Sequence, residues 1–90
     1  MHEKTVSRQE LATMLRSYAS YKQKDLTASG DIASFADAAS VAGYAAEPMQ
    51  WAVGHDLIHG KPGNLLDPAG VSTRAEAAVM FRALDLNVLA

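Results

Sequence analysis

The sequence contains no cysteine among its 90 residues. Disulfide frameworks, thiolate metal sites and cysteine nucleophiles are therefore excluded. Aromatic residues make up 7% of the chain, and no apolar run reaches the roughly 20 residues that a membrane-spanning helix needs. The opening segment 1–4 lacks the apolar core of a signal peptide. If the natural protein is exported, we expect this chain to be an excised part of it.

The sequence also has no large excess of charge of one sign. Its formal net charge is −2, from 8 Lys and Arg against 10 Asp and Glu. No stripe of basic residues alternates with aromatic ones, so the sequence predicts no nucleic-acid partner. The length allows one small domain, near the lower limit for a self-sufficient core.

Two stretches of the chain resemble each other. Residues 6–16 align without gaps with residues 72–82. The identical pairs are Arg8 and Arg74, Glu10 and Glu76, Ala12 and Ala78, Met14 and Met80, and Arg16 and Arg82. Self-similarity at a fixed offset is typical of repeated units that bury a core only together with their neighbours.

Each copy of this motif predicts the start of a helix. Ser7 and Thr73 are N-cap residues, and Glu10 and Glu76 follow three positions later, which is the capping-box pattern. We therefore predict structural capping roles for both glutamates. Behind the caps, apolar residues recur at helical spacing and predict one buried face on each helix. These residues are Leu11, Met14, Leu15, Tyr18 and Ala19 in the first copy, and Ala77, Met80, Phe81 and Leu84 in the second.

The remaining pattern predicts an all-α fold. The first helix is expected at about 8–21, followed by a polar loop at 22–31. Gly60 lies in a second loop, where it is available for a positive φ. A short extended piece is compatible with the residues near Leu65, and no segment alternates with strand period.

A long central helix is predicted from Ser40 or Val41 to Asp56. It is apolar around most of its circumference, which predicts burial on several sides. Pro48 is unfavourable inside such a helix, at a cost of about 3 kcal/mol. The alternative is a short turn that ends near Glu47, with Pro48 in the first turn of the main helix.

Taken in order, these motifs resemble the S-layer homology (SLH) domain. The first motif resembles the end of a preceding repeat, and the others follow one another as in one complete repeat. In sequence they read Val6-Ser7-Arg8-Gln9-Glu10, Phe35-Ala36-Asp37, Tyr44-Ala45-x-x-Pro48-Met49-Gln50-Trp51-Ala52-Val53, Leu57-Ile58-x-Gly60, Leu66-Asp67-Pro68 and Ser72-Thr73-Arg74-Ala75-Glu76. Two positions depart from the family pattern: Asp56 replaces the Gly that usually ends the long helix in a left-handed conformation, and Leu66 replaces the more usual Phe.

The resemblance implies an architecture and a function. Residues 1–24 would be the terminal helix of a preceding repeat and residues 25–90 a complete repeat, together one small domain within a pseudo-trimeric helical bundle. Such a module is non-catalytic and needs no cofactor. It anchors exported proteins to pyruvylated secondary cell-wall polysaccharide, outside the bacterial cell at the wall or S-layer. The implied partners are this polysaccharide and other SLH repeats, in the same chain or in a homo-oligomer, without membrane insertion.

Arg8 and Arg74 are the predicted ligand-binding residues. Each stands at the first helical position, where the helix dipole favours an anion, so we expect a negative group beside each. Arginine and helix amides together bind a carboxylate well. The resemblance implies that the carboxylate belongs to the glycan, with Ser7 and Thr73 orienting the helix starts and Lys61 adding positive charge. The alternatives are that each arginine pairs with an acid of the protein and that the lysine is solvated.

Other candidate sites have simpler interpretations. Trp51 is predicted in the core, although it could instead stack on a sugar ring. His55 and His59 have a spacing that suits a metal on a continuous helix, but the predicted helix ends between them, so no metal site is predicted. No catalytic arrangement of serine, histidine and carboxylates stands out. The alternative function is a helical protein–protein interaction or oligomerisation module, regulatory or inhibitory, without glycan binding.

Overall fold

The computed structural model describes residues 6–27 and 30–89. It contains three α-helices, two 3-10 turns before the second helix and a π-helical turn after the third. In chain order they are α1 (Arg8–Tyr21), the turns Ala38–Ser40 and Gly43–Ala45, α2 (Ala46–Gly54), α3 (Arg74–Leu84) and the π-helical turn Asp85–Leu89. These two described ranges contain isolated β-bridges but no strand. The predicted all-α class is confirmed.

Helix α1 has the predicted bounds because local signals define both of its ends. Ser7 caps its start. At its end, Gln23 adopts a left-handed conformation with φ of 57°, and Lys24 N donates to Ala19 O at 2.9 Å. This is the hydrogen bond of a Schellman motif, which terminates a helix. Of the predicted loop at 22–31, residues 28 and 29 lie outside the described residues.

The predicted long central helix is wrong in its extent, and the alternative start is confirmed. Pro48 is the third residue of α2, where its missing N–H removes no intrahelical hydrogen bond. Asp56 ends the helix with φ of 61°. Leu57 N then donates to Ala52 O at 2.8 Å, and Asp56 N to Val53 O at 3.1 Å. Asp56 thus adopts the left-handed conformation for which the family pattern uses glycine.

Replacing Asp56 by glycine should stabilise the fold. A left-handed conformation is costly for residues that carry a Cβ, although less so for aspartate than for most. We expect Asp56→Gly to raise the free energy of unfolding by about 0.5–1 kcal/mol, measured by urea denaturation. Gly63 has φ of 86°, so Gly63→Ala is the reverse control and should destabilise by about 1 kcal/mol. A loss of stability in Asp56→Gly would show that the aspartate side chain has another role.

The core is formed by one side of each helix together with residues from the loops. Its fully buried large side chains are Leu15, Met49, Trp51, Leu57, Leu66 and Leu84. The predicted apolar faces of α1 and α3 are only partly correct, because Met14, Tyr18 and Phe81 are 55%, 44% and 50% exposed. The apolar stripe of each helix is therefore wider than the part of the helix surface that packs against the core.

The two copies of the motif bury opposite sides of this stripe. Helix α1 buries Ala12 and Leu15, whereas their counterparts in α3, Ala78 and Phe81, are exposed. Conversely, α3 buries Met80, whereas its counterpart Met14 is exposed. The motif therefore has two packing faces, and each copy uses a different one within this chain.

The loop between α2 and α3 corrects the role predicted for Gly60. Positive φ values occur at Gly63 and Asn64 rather than at Gly60. A Cβ at Gly60 would lie 2.7 Å from Cε1 of Phe35, so glycine is needed there for close packing. An isolated bridge joins Lys61 to Leu65, which confirms the short extended piece.

Candidate functional site

Both predicted capping boxes are present. Glu10 N donates to Ser7 Oγ at 3.2 Å, and Ser7 N donates to Glu10 Oε1 at 2.9 Å. In α3, Glu76 N donates to Thr73 Oγ1 at 3.0 Å, and Thr73 N donates to Glu76 Oε1 at 2.9 Å. These bonds satisfy backbone donors that a helix start otherwise leaves unpaired.

The start of α1 is occupied by protein oxygens. Arg8 N donates to Gly70 O and Gln9 N donates to Pro68 O, both at 2.9 Å. The acceptors belong to the loop that leads into α3, so the two copies of the motif begin side by side. The first amides of α1 therefore already have the oxygen partners that a bound anion would provide.

Arg8 is buried, and all three of its guanidinium nitrogens have partners. Nε donates to Leu66 O at 2.8 Å, Nη2 to His59 O at 2.9 Å, and Nη1 forms an ion pair with Glu76 Oε2 at 3.1 Å. The anionic group expected beside Arg8 is thus Glu76 of the protein. This geometry supports the alternative in which the arginine pairs with an acid, and glycan binding by Arg8 stays a prediction.

Glu76 is the centre of a group of charged side chains at the start of α3. Hydrogen bonds from the Thr73 amide are the main cause that lowers the pKa of Glu76 below its ordinary value of 4.5, with Arg8 and Lys61 adding favourable charge. Lys61 Nζ lies 2.6 Å from Asp67 Oδ2 and is partly exposed. Lys61 therefore pairs with the carboxylate of Asp67, and it is also close enough to Glu76 to lower the pKa of that carboxyl group.

Asp37 connects two loops, a role that sequence reasoning missed. Leu66 N and Asp67 N donate to its two carboxylate oxygens, both at 2.8 Å. These hydrogen bonds, that from Leu66 first, lower the pKa of Asp37 below its ordinary value of 3.8. The sequence offered no local signal for these bonds, because the partners lie about thirty residues away. An aspartate in a loop more often accepts hydrogen bonds from the backbone of a nearby turn.

The lowered pKa values of Asp37 and Glu76 predict a loss of stability in acid. A carboxyl group whose pKa is lower in the folded state stabilises the fold above its unfolded pKa, and this contribution is lost as pH falls through the folded value. We expect the urea midpoint to decrease progressively below about pH 4.5. In this range Asp37, Glu76 and Asp25, whose pKa is lowered by hydrogen bonds from Thr27, become protonated. Asp37→Asn should flatten this dependence, whereas the control Asp85→Asn should not. Equal slopes for both variants would contradict the assigned role.

Arg74 lies at the surface, unlike Arg8. It is the first residue of α3 and is exposed. A groove of about 280 Å³ lies between α3 and residues 57–59, and its lining includes Arg8 and Glu76. Apolar side chains form most of its lining, among them Leu57, Ile58 and Val79. Arg74 directly precedes the first α3 residue of this lining, Ala75, and its exposed guanidinium suits a carboxylate.

Trp51 and His55 lie away from this groove, whereas His59 lines it. Trp51 is fully buried, and its Nε1 donates to Asp25 O at 3.0 Å. His55 packs against this ring, with centroids 5.7 Å apart, whereas His59 accepts from Arg8 through its backbone oxygen. In the described ranges no three His, Cys, Asp or Glu side chains are grouped as metal ligands. The described helices also include none long and apolar enough to cross a membrane.

Comparison with known sequences decides the family. Residues 34–78 match the family described as the S-layer homology domain. The chain belongs to the S-layer homology domain family. Exoglucanase XynX of Acetivibrio thermocellus is 32% identical over 84 residues, which cover 89% of this chain and 7% of that enzyme. No solved structure matches the chain.

Membership of the SLH family gives the chain a general role. SLH domains are non-catalytic modules that associate proteins with the cell wall at the bacterial surface. The chain spans a small part of its curated relative, so the exoglucanase activity in that name is a property of that protein. The matched segment contains Arg74, Lys61 and Asp37, whereas α1 lies outside it.

Proposed function

We propose that the chain anchors an exported bacterial protein to anionic, pyruvylated secondary cell-wall polysaccharide, at the cell wall or S-layer. The observation that carries this proposal is the family match, which includes the Thr73-Arg74-Ala75-Glu76 motif. Other SLH repeats, in the same chain or in further copies, are proposed as its protein partners. The division into a preceding helix and a complete repeat at residue 25 belongs to the same proposal.

Arg74 is the proposed carboxylate receptor. Its exposed guanidinium can form two parallel hydrogen bonds to a carboxylate, and the start of α3, capped by Thr73, adds the positive end of the helix dipole. The apolar groove, whose lining on α3 begins at the following residue, Ala75, suits the methyl group of a pyruvyl ketal. Lys61 is 38% exposed and supplies further positive charge. Glycan binding by Arg8 and Ser7 stays a prediction from the sequence and is not needed in this proposal, because the Arg8 guanidinium and the Ser7 hydroxyl already hydrogen-bond to protein atoms.

Removing the Arg74 side chain should weaken glycan binding without weakening the fold. A charge-assisted hydrogen bond contributes about 1.5–3 kcal/mol, so we expect Arg74→Ala to reduce affinity at least about tenfold. The measurement is co-sedimentation with purified cell-wall polysaccharide. Arg82→Ala is the matched control, since Arg82 is also an exposed arginine of α3. Equal losses in the two variants would indicate non-specific charge attraction instead.

A second candidate function, a helical interaction module, is favoured by the two packing faces of the repeated motif. Ala78 and Phe81 of α3 are exposed where α1 buries Ala12 and Leu15. Because α1 packs this face against the core of the chain, we expect the exposed face of α3 to pack in the same way against the core of another repeat. In a second copy of this chain, α1 already covers that surface. The partner is therefore a different repeat, or a copy in which α1 has moved away.

Light scattering on the isolated chain tests self-association. A concentration-dependent dimer or trimer that Phe81→Asp abolishes would support the interaction module. A strict monomer at millimolar concentration would exclude self-assembly through α3. Phe81 is half exposed, so its replacement leaves the core intact.

A further inference from the structure

A polar cleft lies between α1 and the start of α2. Its volume is about 470 Å³, within the range of small-ligand sites, about 300–1,000 Å³. One wall is a stripe of α1 formed by Thr13, Arg16, Ser17 and Ser20. These residues follow the i, i+3, i+4, i+7 spacing of one helix face. The cleft shares no lining residue with the groove between α3 and residues 57–59.

The charges in this α1–α2 cleft balance each other. Arg16 forms an ion pair with Glu47 on the opposite wall. The cleft therefore offers both donors and acceptors without an excess of either charge, which favours a neutral polar ligand over an anion. Three hydroxyl groups, from Thr13, Ser17 and Ser20, add to this set. Thr13 already donates to Gln9 O, so it is available as an acceptor.

Arg16 has one hydrogen-bond donor that the described residues leave unsatisfied. Its Nε atom is buried and has no partner among them. An unpaired buried donor is energetically unfavourable. Arg16 lines the cleft, so a ligand oxygen bound there can accept from Nε after a small rotation of the side chain. The Nη2 atom of Arg16 donates to Glu47.

The opposite wall provides an aromatic surface and open space. Tyr44 is 60% exposed and lines the cleft, so its ring is available to pack against the C–H face of a sugar. Gly43, beside it, has no atom within 4 Å of the position where a Cβ would lie. The room for a ligand therefore continues up to the backbone at this point.

We propose that the α1–α2 cleft is a second binding site, for a neutral and hydroxyl-rich saccharide. The balanced charge, the hydroxyl stripe, the unsatisfied arginine donor and the exposed tyrosine support this ligand class. The proposal does not depend on binding of an anionic glycan at Arg74. The two sites would contact different sugar residues, one charged and one neutral.

Titration of the ¹⁵N-labelled chain with neutral disaccharides tests the proposal. The probes are N,N′-diacetylchitobiose and cellobiose, and pyruvate is the anionic comparison. We expect saturable shifts of the Ser17, Gly43 and Tyr44 amides, with a dissociation constant on the order of 1 mM. Tyr44→Ala and Arg16→Gln should each weaken binding about fivefold or more. Gly43→Leu should block it, because the new side chain enters the cleft.

Controls separate the cleft from the fold and from the Arg74 site. Arg82→Gln changes the counterpart of Arg16 in the second copy of the motif and should leave the affinity unchanged. Each variant must keep the wild-type thermal midpoint and circular dichroism. Absence of saturable shifts, shifts confined to the start of α3, or full binding by Gly43→Leu would each overturn the proposal. Binding of pyruvylated glycan that is lost in Arg74→Ala but kept in Gly43→Leu would separate the two sites.

Discussion

Replacing Arg8 by alanine is expected to destabilise the domain by about 3–5 kcal/mol, because the buried Arg8 forms three charge-assisted hydrogen bonds. The substitution leaves the carboxylate of Glu76 without its partner and two carbonyls, of Leu66 and His59, without their donors. These groups lie in the loop between α2 and α3 and in α3 itself, so Arg8 holds the start of α1 against both. Since native proteins have total stabilities of only about 5–15 kcal/mol, this change should remove a large fraction of the stability of so small a domain.

Urea denaturation followed by circular dichroism measures this effect. Arg8→Lys should recover little of the loss, because a lysine cannot direct three donors in a plane as the guanidinium does. Arg74→Ala, the same change in the second copy of the motif, is the matched control and should cost less than about 0.5 kcal/mol. If both alanine variants had equal stability, the structural role of Arg8 would be wrong.

Replacing Trp51 by alanine is expected to destabilise the domain by about 3–5 kcal/mol. Trp51 is fully buried in the core and is its largest side chain, so truncation leaves a cavity that a 90-residue chain can fill only in part. Its indole N–H also donates to Asp25 O, which connects α2 to the loop after α1. Trp51→Phe keeps most of the volume and tests this hydrogen bond, which should account for about 1 kcal/mol.

Binding assays on Trp51→Phe distinguish the core role from sugar stacking. A buried tryptophan cannot contact a ligand, so the affinity of the folded Trp51→Phe variant for cell-wall polysaccharide should equal that of the wild type. The affinity of Tyr44→Phe is measured for comparison, because Tyr44 is an aromatic residue at the surface. A reduced affinity of Trp51→Phe at unchanged stability would show that the ring contacts the glycan.

Features defined by neighbouring residues could be predicted from the sequence. The capping boxes and the bounds of α1 depend on residues within five positions of each other. The left-handed position of Asp56 followed from the family pattern, in which a glycine ends the helix. The exact start of α2 was ambiguous, because Pro48 is tolerated in a first turn but not further inside.

Features that depend on distant contacts could not be predicted. Arg8 and Arg74 occupy the same position in the two copies of the motif, yet one is buried and the other exposed. The difference comes from Leu66 and Glu76, 58 and 68 residues away from Arg8. The same reason explains why the motif exposes Met14 but buries Met80. A helical stripe shows which residues are able to pack, but not which neighbour covers them.

The most direct test of the proposed function combines the loss of Arg74 with the loss of the pyruvyl group. Affinities of the wild type and Arg74→Ala are measured by titration calorimetry on wall polysaccharide before and after removal of its pyruvyl groups. If Arg74 binds the ketal carboxylate, either change alone should lower affinity about tenfold or more, and the two together should cost little beyond one. Independent, additive losses, or equal binding of both polysaccharides by the wild type, would contradict the account.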